Sequence, residues 1–187
     1  MFTHKLTEDT ELRLLEERHA QQLTNLTDQN REHLRGWLPW VDTNRTLEDR
    51  KNFIRGALKQ LAQHKGFVAG IWHEGRLAGV IGYDPIDWEN RTTEVGYWLG
   101  EEHQGKGLVT AACRALVDHA VFELGLNRVV ISCATENKKS CAIPESWVSG
   151  ERAFSARLSG STITLLIMWS TLLSRASGRG SAPSFPN

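Results

Sequence analysis

The sequence has little of several features that would mark a particular class of protein. Its 187 residues include only three cysteines, Cys113, Cys133 and Cys141, an odd number without the paired spacing of a zinc site. We therefore expect no metal centre, and a protein of the reducing cytoplasm. No apolar run reaches the ~20 residues of a membrane span, and the amino terminus lacks the apolar core of a secretion signal, so we expect no membrane partner.

Net charge is also absent, because 22 Lys and Arg residues balance 22 Asp and Glu residues. Proteins that bind nucleic acid usually carry basic clusters on one face, so this balance predicts no nucleic-acid partner. Hydrophobic residues make up 40% of the chain and charged residues 24%, which is typical of a folded soluble protein.

The zero net charge is the sum of two unlike segments. Residues 1–145 carry 18 basic and 21 acidic side chains. Residues 146–187 carry four Arg and one Glu, are rich in Ser, and contain no Lys, Asp or His. We therefore expect one functional domain at residues 1–145, followed by an aberrant C-terminal segment at 146–187.

Hydrophobic periodicity predicts an α+β fold. Helical spacing extends from Arg18 to about Leu38 and again after Thr46, a predicted N-cap. Strand patterns follow, and in the predicted strand at residues 93–99 the side chains of Glu94, Gly96 and Trp98 should share one face. A glycine loop then opens a helix that reaches Leu124, and another strand comes after it. Since a strand–helix–strand crossover is right-handed, the two strands that flank this helix should be parallel. The predicted strands cover residues 67–72, 77–83, 93–99 and 127–133.

The glycine loop QGKG at residues 104–107 lies at a strand-to-helix turn. Glycine lets backbone N–H groups approach a ligand, and the unpaired N–H groups of a helix start favour a phosphate. The spacing from Gly100 to Lys106 also fits the first part of a P-loop. However, Gly107 stands where that motif needs Ser or Thr, and strand 128–132 does not end in the Asp that would hold the metal. These two departures argue against a P-loop nucleotide hydrolase.

The segment QGKGLV at residues 104–109 resembles the Gln/Arg-x-x-Gly-x-Gly/Ala signature of the GNAT superfamily of N-acetyltransferases. Other segments are similar to one branch of that superfamily, the ribosomal-protein serine and alanine N-acetyltransferases. The resemblance covers about residues 10–145, with its motifs in the same order and spacing. The segments similar to that branch are WLPW at 37–40, EVGYWL at 94–99, NKKS at 137–140 and PE at 144–145.

The resemblance implies a mixed, mostly antiparallel central sheet with a splayed parallel strand pair, flanking helices and, in this chain, atypical C-terminal strands. It also implies metal-independent transfer of an acetyl group from acetyl-CoA to a primary amine by direct attack. A protein N-terminus of the ribosomal-protein type is the favoured acceptor. A small amine, such as a polyamine or antibiotic, and a non-catalytic acetyl-CoA-binding protein are the alternatives. A homodimer is compatible with the resemblance.

Two residues are predicted to act in catalysis. An α-amine with a pKa near 7.7–8.0 is mostly protonated at neutral pH, so a base such as Glu94 must take its proton, directly or through water. The alternative is a strand acid that faces solvent or pairs with an arginine. Ser140 matches the family position that protonates the departing thiolate, and its alternative role is helix capping.

The remaining expectations concern binding and packing. Trp37 and Trp40 line an acceptor site or pack in the core, His103 is solvated, and Cys113 lies in the core. By resemblance, the backbone of Trp98 and Leu99 pairs with the pantetheine amides, and Asn137 hydrogen-bonds the same region. The predicted pyrophosphate-binding residues are Gln104, Gly105, Lys106, Gly107, Leu108 and Val109.

The family pattern stops after Glu145, where it would continue with Leu-Gly-Phe but this chain reads SWVS. Trp147 is encoded only by TGG and Val148 by GTN. Read one base earlier, these codons give Leu, Met or Val followed by Gly, and Phe comes next if Val148 is GTT and Ser149 is TCN. The same shift at Met168 and Trp169 gives a segment similar to the family's last strand. As written, residues 162–169 can add a strand, and residues 175–187 should be disordered.

Sequencing the coding DNA across codons 144–169 tests the hypothesis of a one-base change of reading frame. We expect codons that read Gly-Phe one base earlier, because the two matches lie in the same shifted frame. Codons that cannot encode Gly-Phe in that frame would reject the hypothesis.

Overall fold

One sheet of eight strands organises the described part of the chain. The structure is a computed structural model that describes residues 3–145, 153–159 and 162–168. The strands lie in the order β1-β2-β3-β4-β5-β6-β8-β7, and each neighbouring pair is antiparallel except β5 and β6. The strands are β1 (Thr3–Lys5), β2 (Thr10–Leu14), β3 (Val68–His73), β4 (Arg76–Tyr83), β5 (Thr92–Leu99), β6 (Arg128–Ala134), β7 (Ala153–Ser159) and β8 (Thr162–Met168).

Five α-helices flank the sheet, and short 3-10 turns precede or join them. The single helix expected from Arg18 to Leu38 is wrong, because a 3-10 turn at Glu17–His19 and a break at Asn30 divide it. The side chain of Asn30 donates to the carbonyl of Leu26 and so ends the first helix. The helices are α1 (Ala20–Gln29), α2 (Arg31–Arg35), α3 (Leu47–Ala62), α4 (Leu108–Asp118) and α5 (Lys138–Glu145). None of those described is long and apolar enough to cross a membrane.

The helix starts follow the capping chemistry that the sequence indicates. The Thr46 hydroxyl accepts from Asp49 N, and the Asp49 carboxylate accepts from Thr46 N, which confirms the predicted cap of α3. Helix α4 continues as one π-helical turn, His119–Glu123, before Gly125 takes a φ of +65°.

The core lies on both faces of the sheet. Val95, Tyr97 and Leu99 of β5 pack against the larger cluster, which includes the apolar side of α4. Trp98 packs against the second cluster, which includes residues of α1 and α3. The predicted alternation along β5 is therefore confirmed. Cys113 is fully buried in the larger cluster, as expected.

The parallel pairing of β5 and β6 is short. It covers three residue pairs and ends at Glu94 and Val130. After that point β5 continues along β4 as far as Leu99, while β6 continues along β8 as far as Ala134. The predicted parallel strand pair is confirmed, and its two strands diverge towards their carboxyl ends.

A hairpin of β7 and β8 continues the sheet beyond residue 145, which confirms the strand expected within 162–169. The division of the chain at residue 145 stays a prediction. Trp169 and the disorder expected at 175–187 lie outside the described residues.

Gly79 of β4 determines how the end of β5 approaches its neighbour. A Cβ at Gly79 would lie 2.3 Å from the Trp98 carbonyl oxygen and 3.0 Å from the Leu99 Cα. Those atoms belong to the backbone and cannot rotate away as the end of a flexible side chain can. Glycine is therefore required where β4 supports the diverging end of β5.

We expect Gly79→Ala to lower the free energy of unfolding by about 1–3 kcal/mol, because the added methyl group overpacks the strand pair. Gly96→Ala is the matched control on β5, since a Cβ there meets nothing within 4 Å and φ is not positive. That control should leave stability unchanged or raise it slightly. Urea unfolding curves measure both, and equal stability of the two variants would contradict the packing argument.

Candidate active site

The cleft between β5 and β6 opens into a cavity of about 1110 Å³. Tyr97, Trp98 and Leu99 form its wall on the β5 side. The glycine loop and the start of α4 form one end, and the residues around the first turn of α5 form the opposite wall. Part of α2 and the segment after it closes the remaining side, so the cavity combines an apolar wall with backbone and polar groups.

Ten of the predicted site residues line this cavity. They come from four separate parts of the chain, which confirms that the fold brings the sequence motifs together. The ten are Trp37, Trp98, Leu99, Gln104, Gly105, Gly107, Leu108, Val109, Asn137 and Ser140.

The glycine loop has the backbone conformation that its sequence predicts. Gly105 and Gly107 have φ values of +75° and +74°, and a Cβ at either position meets nothing within 4 Å. Gly107 is the N-cap of α4, so the first N–H groups of that helix have no intrahelical acceptor. Together these features leave open space beside unpaired donors at the positive end of the helix dipole. Lys106 is exposed and does not line the cavity.

The side chain of Gln104 joins two walls of the cavity. Its amide nitrogen lies 2.7 Å from His33 Nε2 of α2, and Lys139 Nζ of α5 donates to its amide oxygen at 2.8 Å. Because the amide nitrogen only donates, His33 Nε2 is the acceptor in this contact. Sequence reasoning missed His33, for which no motif gave a signal, and Lys139, although it lies within the NKKS segment.

Glu94 lies at the end of the parallel pairing, opposite Val130, and does not line the cavity. It is half-buried, and its carbonyl accepts from Asp84 N at 2.8 Å. It lies four positions before Trp98 on the same face of β5, which is roughly 13 Å along an extended strand. Its assignment as a base stays a prediction, and this separation favours action through water.

Ser140 and Asn137 lie at the start of α5. Asn137 precedes the helix, and its side-chain oxygen accepts from Ser140 N at 3.1 Å. Asn137 therefore caps the helix, which is the alternative role that the sequence predicts for Ser140. The Ser140 hydroxyl instead lies 2.9 Å from the Tyr97 hydroxyl. Tyr97 is a third residue that sequence reasoning missed, although it belongs to the EVGYWL segment.

The two tryptophans of the predicted acceptor site differ in position. Trp37 lines the cavity and is 40% exposed. Trp40 packs against Trp98 with ring centroids 6.2 Å apart, and the guanidinium of Arg50 lies over the Trp40 ring, 5.0 Å from its centroid. Trp40 therefore supports a cavity residue and does not itself line the cavity.

The expectation that His103 is solvated is wrong. His103 is 7% exposed, because the 3-10 turn at Glu101–His103 packs beneath α1, where the Asn30 side chain accepts from Glu101 N. Burial lowers the pKa of His103, although Glu102 lies 3.2 Å from its Nε2. Its Nδ1 is buried without a hydrogen-bond partner among the described residues.

A second cavity of about 870 Å³ shares Glu101 and His103 with the first. Amide side chains of α1 and the turn between β3 and β4 form most of its lining. It contains none of the predicted site residues and no glycine loop, so the chemistry of the first cavity is the better match to the sequence motifs.

Comparison with known proteins agrees with this geometry. The family model described as "Acetyltransferase (GNAT) domain" matches residues 9–147. A protein of Bacillus subtilis (strain 168) named "Putative ribosomal N-acetyltransferase YdaF" is 41% identical over 146 residues, which are 78% of this chain and 80% of that protein. The "Ribosomal-protein-serine acetyltransferase" of Escherichia coli (strain K12) is 36% identical over 140 residues, 74% of this chain and 77% of that protein.

Solved structures share the fold. A crystal structure of a "Probable acetyltransferase" is 34% identical with a TM-score of 0.80, and the match covers 91% of this chain and 98% of that one. The immunity acetyltransferase MccE, solved with acetyl-CoA and AMP, is 25% identical with a TM-score of 0.75, covering 87% and 93%. The family match spans strands β2 to β6, the glycine loop and the cavity described above, and the chain therefore belongs to the GNAT family of N-acetyltransferases.

Proposed function

We propose that this protein transfers the acetyl group of acetyl-CoA to the α-amine of a protein N-terminus, with a ribosomal protein as the substrate. The observation that carries the proposal is the divergence of β5 and β6 directly beside a glycine loop at a helix start. Two relatives with more than a third of their residues identical are named as ribosomal N-acetyltransferases, which favours this acceptor over a small amine.

The cavity offers complementary groups for each part of acetyl-CoA. The unpaired N–H groups at the start of α4 suit the pyrophosphate, and Lys139 adds a positive charge at the same end. The edge of β5 that β6 no longer covers, which includes Leu99, offers backbone groups for the pantetheine amides. Ser140 lines the same cavity on the α5 side, and we place the thioester beside it.

In the proposed reaction the amine attacks the acetyl carbonyl directly. Glu94 takes a proton from the ammonium group through water, because a protonated amine has no lone pair for the attack. Ser140 donates a proton to the sulfur as the carbon–sulfur bond breaks. The second candidate is a protein that binds acetyl-CoA without transferring its acetyl group, and it predicts acetyl-CoA binding with no release of thiol.

The loop geometry can be tested with Gly107→Ala. Its φ of +74° strains any residue with a Cβ by roughly 1–2 kcal/mol, so the free loop should relax away from the binding conformation. We expect the dissociation constant for acetyl-CoA to rise about tenfold in isothermal titration calorimetry. The control is Gly36→Ala, at an ordinary φ with open space around its Cβ, and affinity there should not change. Unchanged affinity in both variants would contradict a role for the loop.

The acceptor and the base can be tested together by following thiol release. We expect turnover with a peptide that begins with Ser, little with a polyamine, and none without an acceptor. Glu94→Gln should lower kcat by about a hundredfold at neutral pH while acetyl-CoA binding persists, because it removes the base. Glu89→Gln, at an exposed position in the loop before β5, is the control.

Each contrary result has a distinct meaning in that assay. Faster turnover with the polyamine would reject the peptide acceptor, and binding without turnover would favour the non-catalytic protein. Equal kcat in Glu94→Gln and the unmodified protein would reject Glu94 as the base.

A further inference from the structure

We propose that Tyr97 is a positioning residue for acetyl transfer, which holds the Ser140 hydroxyl where it can protonate the departing sulfur of coenzyme A. The inference rests on the proposed function, and it adds a residue that the sequence motifs did not assign. Its basis is a pair of close contacts: the Tyr97 hydroxyl lies 2.9 Å from Ser140 Oγ and 3.2 Å from the Ser140 carbonyl oxygen.

These contacts join the two walls of the active-site cleft. Tyr97 lies on β5 and Ser140 on α5, which follows β6. Between them the sheet hydrogen bonds have ended, because the parallel pairing stops at Glu94 and Val130. Both residues line the large cavity. The hydroxyl pair is therefore a direct link across the opening, at the level where the acyl group would lie.

The sequence of α5 explains why a tyrosine hydroxyl is needed at this point. In an α-helix the carbonyl of Ser140 would accept from the N–H of the residue four positions later. That residue is Pro144, which has no N–H. The Ser140 carbonyl thus lacks its helical donor, and the Tyr97 hydroxyl lies where it can donate instead. The half-buried position of both residues makes an unpaired carbonyl costly there.

The protons of the pair can be assigned from this geometry. With the Tyr97 proton donated to the Ser140 carbonyl, the phenolic oxygen accepts the proton of Ser140 Oγ, which fixes the serine rotamer. During transfer the Ser140 O–H turns from Tyr97 towards the sulfur, the carbon–sulfur bond breaks, its electrons leave on sulfur, and the Oγ–H proton moves to that sulfur. The Tyr97 O–H turns at the same time to donate a hydrogen bond to Ser140 Oγ. Ser140 then regains its proton, through water, from the amine nitrogen as that nitrogen becomes an amide.

Tyr97 itself keeps its proton in this sequence. Its ring packs against the larger core cluster, and burial raises the pKa of its hydroxyl above the ordinary value. It therefore acts as a neutral hydrogen-bond donor, and its contribution passes through Ser140.

The first test is Tyr97→Phe, which removes only the hydroxyl. We expect kcat for acetylation of a Ser-starting peptide to fall about tenfold, with KM for acetyl-CoA within about twofold of the unmodified value. Tyr83→Phe is the matched control, because Tyr83 is the other tyrosine of the chain and its buried hydroxyl donates to the Leu116 carbonyl at 2.6 Å, outside the cavity. It should lose thermal stability but not kcat. An unchanged kcat in Tyr97→Phe would overturn the proposal.

The second test asks whether Tyr97 acts through Ser140. We expect Tyr97→Phe combined with Ser140→Ala to have the kcat of Ser140→Ala alone, because the tyrosine has nothing left to position. Ser140→Thr, which keeps the hydroxyl, should retain most of the activity. Losses that multiply in the double variant would overturn the proposal, as would a Ser140→Thr variant as slow as Ser140→Ala. If the unmodified protein releases no thiol, the proposed function itself fails before any variant is compared.

Discussion

The active site depends on where the backbone hydrogen bonds between two parallel strands end. Every buried backbone N–H and C=O group needs a partner, so two strands can separate inside a sheet only if other groups satisfy them. β5 continues along β4 and β6 continues along β8, which gives each strand one paired edge beyond Glu94 and Val130. The end of β5 is left facing a cavity, whose opposite wall is formed by the turn after β6 and the start of α5. Acyl-CoA chemistry fits there because pantetheine carries amides that complement such an edge.

Neighbouring elements keep this opening in shape. On one side Gly79 lets the Trp98 carbonyl approach β4, and Trp40 supports the ring of Trp98. On the other side Asn137 caps α5 and fixes Ser140 at its first turn. Gln104 connects α2 with α5 at the glycine loop, while the Tyr97 and Ser140 hydroxyls connect β5 with α5. The walls of the cavity are thus held together by hydrogen bonds between elements that are distant in sequence.

Local sequence signals predicted most of the elements that carry the site. The glycine loop, the cap at Thr46 and the strand alternation around Trp98 depend on short-range chemistry, and the structure confirms them. The parallel pairing followed from the handedness of a strand–helix–strand unit. What failed depends on tertiary contacts. His103 is buried because a turn packs under α1, and the contacts of Gln104 with His33 and of Tyr97 with Ser140 join residues 71 and 43 positions apart.

Hydrogen–deuterium exchange of the full chain, with and without acetyl-CoA, tests the central claim most directly. The account predicts slower amide exchange after binding in the end of β5 and in the first turn of α4, where the unpaired backbone groups lie. Exchange in β2 and β3, on the far side of the sheet, should stay the same. Protection confined to α1 and the turn between β3 and β4 would place the ligand in the second cavity and contradict the account.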